Sequence, residues 1–143
     1  MKNKTTTETH GLVFTCESGM LFITLPSGRR LAYVKPKIDV NKFGGESVTY
    51  EGLNLGKWTR LESFSGKWVE NIVQAAARDI LAYTMKTLRH CFIVGHVHDE
   101  LIIECSLGVS LEAICEQMGR TPPWAPGLVL KADGYECLYY MKS

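Results

Sequence analysis

An α+β fold, an antiparallel sheet with helices packed on it, is predicted from three observations. Short β-rich runs are joined by turn signals, one long stretch has helical periodicity, and two apolar runs flank an acidic triplet. Residues 20–25, Met-Leu-Phe-Ile-Thr-Leu, are β-formers. Pro26-Ser27-Gly28 reads as a turn with Gly28 free to take positive φ, and residues 29–34 return as the second strand of a hairpin. Residues 35–66 hold five glycines and a proline. Their weak periodicity predicts mostly loop, with a short strand at 48–50. Residues 68–88 carry the strongest helical signal, with Val69, Ile72, Val73, Ala76, Ile80 and Leu88 at i, i+3, i+4 spacing, no internal proline, and Ser65 near the expected cap. Asn71, Gln74 and Arg78 fall on one polar stripe of that helix, which a solvated face would also produce. A short helix over 111–118 follows the acidic hairpin. Pro122-Pro123-Trp124-Ala125-Pro126 then reads as a rigid connector, residues 128–133 as a final strand, and Gly134-Tyr135-Glu136 as a bend or bulge.

The 143 residues suffice for one domain with a real core, and 45% hydrophobic content suits a soluble one. No apolar run approaches the ~18 residues of a membrane span. The start of the chain is polar and lacks the apolar stretch of a signal peptide. Residues 1–19 are expected to be poorly ordered or linking, and 20–143 to form the domain. Five cysteines, an odd number without a CxxC pair and several in apolar runs, read as reduced, buried thiols of a cytoplasmic protein. A zinc site built from Cys91, His96, His98 and Cys105 is conceivable, although the spacing matches no standard zinc pattern. Net charge is only +1, so the chain lacks the positive balance of a self-sufficient nucleic-acid binder. Its cations do cluster, with Arg29, Arg30, Lys35, Lys37 and Lys42 close in sequence and Asp39 the one acid among them. That suits a phosphate-facing edge, as it would suit a solvated loop.

The chemistry concentrates at His98-Asp99-Glu100, between the apolar runs 92–97 and 101–103. No Asn-Gly turn lies there. Two like charges about 4 Å apart at a partly wet surface repel by about 1–4 kcal/mol, and a divalent cation reverses the sign. The triplet therefore reads as a metal-binding hairpin, set against the plain alternative of acidic residues placed at an exposed bend for solubility.

Three segments in order resemble family A, polymerase I-like DNA polymerases, most nearly those of bacteriophages and prophages. Leu25-Pro26-Ser27-Gly28-Arg29-Arg30-Leu31-Ala32-Tyr33 resembles the Gly-Arg-Arg hairpin of that family. Residues 70–79, with Gln74 and Arg78, resemble the Gln-bearing helix of its palm. Residues 97–104 look like its third catalytic motif, while residues 66–74 and Trp124-Ala125-Pro126-Gly127 look typical of the phage branch. The resemblance implies a portion of the palm, engaged in template-directed nucleotidyl transfer. Asp99 would be a ligand of catalytic Mg²⁺, Glu100 would tune the site, and His98 would lie near the primer 3′ end. Gln74, with Asn71 and Arg78 on the same stripe, would face the primer terminus, and Arg29 or Arg30 would contact phosphate. DNA primer-template and deoxynucleoside triphosphates would be the partners.

The chain also departs from that pattern. Nothing in it resembles the Asp-Tyr-Ser-type strand that supplies the second metal-clamping carboxylate, nor the nucleotide-binding fingers helix. Glu70 stands where many relatives carry Asn. The departures imply a carboxy-terminal palm portion: an excised piece, a truncated gene product, or one half of a split enzyme completed by a complementary polymerase fragment. A non-catalytic nucleic-acid-binding or assembly module that docks on such a fragment is the alternative, and a metal-binding protein a third.

Overall fold

The computed structural model describes residues 5–140. The chain divides into two compact units, one ending at Ala76 and the other beginning at Ala77. The first unit is an antiparallel meander of β1 (Thr5–Thr9), β2 (Leu12–Glu17), β3 (Met20–Thr24), β4 (Arg30–Val40), β5 (Glu46–Asn54) and β6 (Lys57–Glu62), each strand pairing with its neighbour in sequence. It ends with the first part of helix α1 (Ser65–Thr87). The second unit holds the rest of α1, the hairpin of β7 (Phe92–Val97) and β8 (Glu100–Glu104), and helix α2 (Leu111–Met118).

The β3–β4 hairpin, the long helix, the β7–β8 hairpin and the short helix match the sequence expectation, and the class is mixed, with antiparallel sheet and two helices. Gly28 takes φ +86 and donates its N–H to the Leu25 carbonyl at 2.9 Å, as the turn signal requires.

Three expectations are corrected. Residues 5–17, read as poorly ordered or linking, form β1 and β2, while residues 1–4 lie outside the described residues. Residues 35–66, read mostly as loop, carry the end of β4 and all of β5 and β6. In both places the missed signal is a two-residue turn. His10-Gly11 has φ +49 and +76, and Leu55-Gly56 has +48 and +79. Both residues of each pair are left-handed, which is the twist that joins two antiparallel strands. Glycine takes that conformation freely, and His or Leu ahead of it does so at a cost the ladder offsets. Pro36 weakens but does not end β4: it has no N–H for the ladder, and the register slips between Val34 and Lys37, with Lys35 at φ +46.

The third correction concerns residues 128–133, which form no strand among the described residues. The Leu128 N–H instead closes a turn on the Ala125 carbonyl, and Val129 is 92% exposed, so neither a ladder nor burial rewards extension.

In the first unit, alternation along β3 and β4 sets Leu21, Ile23, Leu31 and Tyr33 on one face, with Ile23 opposite Leu31 and Leu21 opposite Tyr33. Ile23, Leu25 and Tyr33 are buried. Tyr33, Tyr50 and Trp68 meet edge to face, the Tyr33 ring centroid lying 4.5 Å from Trp68 and 5.0 Å from Tyr50, which anchors the start of α1 to the sheet. Burial pushes the Tyr33 phenol up, partly opposed by the Asn71 amide, which donates to its oxygen at 3.2 Å. A phenol with a raised folded-state pKa contributes stability that is intact below the ordinary value near 10 and is lost as pH rises through the folded value. Chemical denaturation at pH 8 and at about 11 is expected to show a loss that shrinks in Tyr33→Phe.

In the second unit Leu81 and Thr84 on α1, and Leu88 just after it, are buried. Ser110 caps α2, its hydroxyl accepting from the Ala113 N–H at 3.2 Å and donating to the Glu112 carboxylate at 2.9 Å. The five cysteines are free, and Cys16, Cys105 and Cys137 are exposed where the sequence predicts burial. Among the described residues no helix is long and apolar enough to cross a membrane.

Candidate functional site

Val97 pairs with Glu100, so His98 and Asp99 form the two-residue bend that closes β7–β8. The acidic triplet thus stands at the tip of a hairpin whose flanking apolar runs are its strands. Both bend residues are exposed, and Glu100 is half-buried. The ladder slips once, between Ile93 and Gly95, and resumes with Gly95 opposite Ile102 and His96 opposite Leu101.

His98 takes φ +50 with no glycine beside it, unlike the turns of the meander. A non-glycine residue in the left-handed region costs about 1 kcal/mol or more, and such strain gathers where a side chain must be held in one place. His98→Val is expected to destabilise the hairpin by about 1–2 kcal/mol, because a branched Cβ tolerates that φ poorly, whereas His98→Gly is expected to be neutral or slightly stabilising. Urea titration of the two variants checks the contrast.

Tyr135 is a residue that sequence reasoning passed over. Partial desolvation, followed by the neighbouring Cys137, Glu100 and Tyr140, holds its phenol above the ordinary value. A proton-bearing hydroxyl therefore belongs to the electrostatic neighbourhood of Glu100. Nothing in its local sequence, a lone aromatic after a glycine, marks it.

Arg78, on the part of α1 within this unit, lies with its guanidinium against His96, Nη1 at 3.2 Å from Nδ1 and Nη2 at 3.3 Å from Nε2. A neutral imidazole offers one lone pair, so one approach is a hydrogen bond and the other a stacking contact. The structure therefore joins Arg78 to the strand that leads into the bend.

The remaining candidates sit in the first unit. Gln74 is exposed, and its amide donates to Glu70, which also takes the Lys67 ammonium at 3.1 Å. Asn71 is turned to Tyr33. The Arg29 guanidinium donates at 2.7 Å to the Ala75 carbonyl, next to Gln74 on α1. Arg30 pairs with Glu17 at 2.7 Å and lies 3.6 Å above the Phe22 ring. Both arginines thus hold parts of the unit together as well as presenting charge.

Glu51 is a hub the sequence did not announce: it accepts from Lys35 at 2.9 Å, Trp58 Nε1 at 3.2 Å and Arg60 at 3.4 Å. Those partners, Lys35 and Trp58 first, hold its carboxyl below the usual range.

Among the described residues no group of three or more His, Cys, Asp or Glu could hold a metal ion. The zinc alternative fails on this geometry. His98 lies at the closed end of the hairpin, while Cys91 and Cys105 lie beyond its open end, where the ladder stops at Phe92 and Glu104. For Mg²⁺ the donor set fits as part of a site, since that ion keeps several waters and takes one or two carboxylates together with substrate phosphates.

Neither a protein-family profile nor a solved structure matches the chain. Over 139 residues, 94% of its length, it is 51% identical to the DNA polymerase of Bacillus phage SP02. The match spans 22% of that protein, so the chain is similar to about a fifth of a phage DNA polymerase.

Proposed function

We propose that the chain is a carboxy-terminal portion of the palm of a family A DNA polymerase of phage type, serving template-directed nucleotidyl transfer in the cytoplasm. The observation that carries this reading is the exposed Asp99, with Glu100 beside it, at the bend of an antiparallel hairpin within a chain half identical to a phage polymerase segment.

In this reading Asp99 is the first-placed carboxylate for Mg²⁺, and Glu100, with the Tyr135 phenol in its neighbourhood, sets the charge behind it. Bound Mg²⁺ would neutralise the triphosphate and favour attack by the primer 3′ hydroxyl. The strained His98 fixes the direction in which Asp99 projects. Gln74 gives up Glu70 to donate its amide to minor-groove acceptors, which occur at every base pair and so report pairing shape without reading sequence. Asn71 and Arg78 flank it along the helix, and Arg29 and Arg30 meet backbone phosphate. A second carboxylate and the triphosphate-aligning helix come from a complementary polymerase portion.

The test is primer extension. A purified 143-residue polypeptide is expected to show none, because phosphoryl transfer depends on positioning and charge neutralisation that this chain supplies only in part. Adding the complementary portion of a related phage polymerase is expected to restore synthesis. Extension by the polypeptide alone, with contaminating polymerase excluded, overturns the reading. Tight DNA binding without restored synthesis favours the non-catalytic assembly module instead.

A further inference from the structure

We propose that Cys91 and Cys105 form a cross-strand dithiol that closes to a disulfide across the open end of the β7–β8 hairpin, on reaction with a small disulfide of the glutathione class. The outermost pair of the ladder is Phe92 with Glu104, so Cys91 and Cys105 are the residues that flank it on the two strands. The Cys91 backbone is already engaged locally, its N–H on the Leu88 carbonyl at 2.8 Å and its carbonyl accepting from Ile93 at 3.0 Å. Antiparallel partners stand about 4.5–5.5 Å apart between Cα atoms, and Cys91 and Cys105 each lie one residue beyond such a pair. Disulfides need about 4.4–6.8 Å between Cα atoms. Both thiols are free, and both line one open cavity of about 560 Å³ together with His90, Ser106 and Ile114. A small disulfide can thus reach them.

Cys105 is exposed and Cys91 half-buried, which orders the chemistry. The Cys105 thiolate attacks one sulfur of the small disulfide, breaks its S–S bond, forms a mixed disulfide and releases one small thiolate. The Cys91 thiolate then attacks the Cys105 sulfur, forming the protein disulfide and releasing the second small thiolate. The two protein protons end on the two released thiols, and the small disulfide is the species reduced. The cross-link joins the ends of β7 and β8 that lie farthest from the His98-Asp99 bend, and it stands independently of the polymerase reading.

The test treats the folded 143-residue chain with oxidised glutathione, alkylates the remaining thiols and maps the peptides by mass. The expected result is a peptide pair joined through Cys91 and Cys105, with Cys16, Cys115 and Cys137 alkylated. Amide exchange across β7–β8 should slow by about tenfold or more in the oxidised form. Cys91→Ser should stop at a glutathione adduct on Cys105. Alkylation of both cysteines, a bridge from Cys105 to any other cysteine, or mixed disulfides alone in the parent chain each overturn the proposal. The parent chain decides even if the variant does not fold.

Discussion

Asp99→Asn is expected to abolish the primer extension restored by a complementary polymerase portion, by about a thousandfold or more, while leaving this chain folded. The amide keeps the size of the side chain but removes the charge that a divalent ion requires. A lost contribution of several kcal/mol at the transition state corresponds to that factor, since about 1.4 kcal/mol is tenfold. Asp99 is exposed at the bend and not among the buried core residues, so the stability change should stay within about 0.5 kcal/mol. Extension assays beside thermal melts separate the two effects. Restored activity that ignores Asp99 would remove the hairpin from the catalytic role proposed for it.

Trp68→Ala should produce the largest loss of stability, about 3 kcal/mol. Full truncation of a buried aromatic costs about 3–5 kcal/mol, and Trp68 is only half-buried. It does meet two rings, Tyr33 edge to face at 4.5 Å and Tyr50 at a tilt at 5.8 Å, and an edge-to-face pair adds about 0.5–1.5 kcal/mol beyond burial. Trp68→Phe should recover more than half of the loss. Denaturant titration followed by circular dichroism measures both, and a loss under about 1 kcal/mol would show that the cluster does not anchor α1.

What the sequence made legible was what depends on long, regular patterns. The 3.6-residue spacing over 68–88 specified α1 because each apolar side chain repeats on one face, and the apolar runs around His98-Asp99-Glu100 specified a hairpin because nothing helical fits them. The meander was hidden by its turns. His10-Gly11 and Leu55-Gly56 lack the Asn or Asp that ordinarily announces a left-handed pair, yet the backbone adopts it once the flanking strands pair. Residues 128–133 failed in the opposite sense, for a β-rich composition without a partner strand has nothing to bond to. At the site, the bend could be read from the chain, but Tyr135 and the Glu51 hub could not, because strand register brings Lys35, Trp58 and Arg60 to Glu51, and Glu100 comes near Tyr135 only through the fold.

The order of the six-stranded sheet has a kinetic consequence. Every strand pairs with the one made just before it, so each ladder closes a loop of only a few residues, and loop-closure entropy rises with length. Such a sheet can assemble hairpin by hairpin in the direction of synthesis, β1 on β2 before β4 has formed, without waiting for a distant segment. Folding of this unit should therefore be fast for a β-structure, with a low contact order.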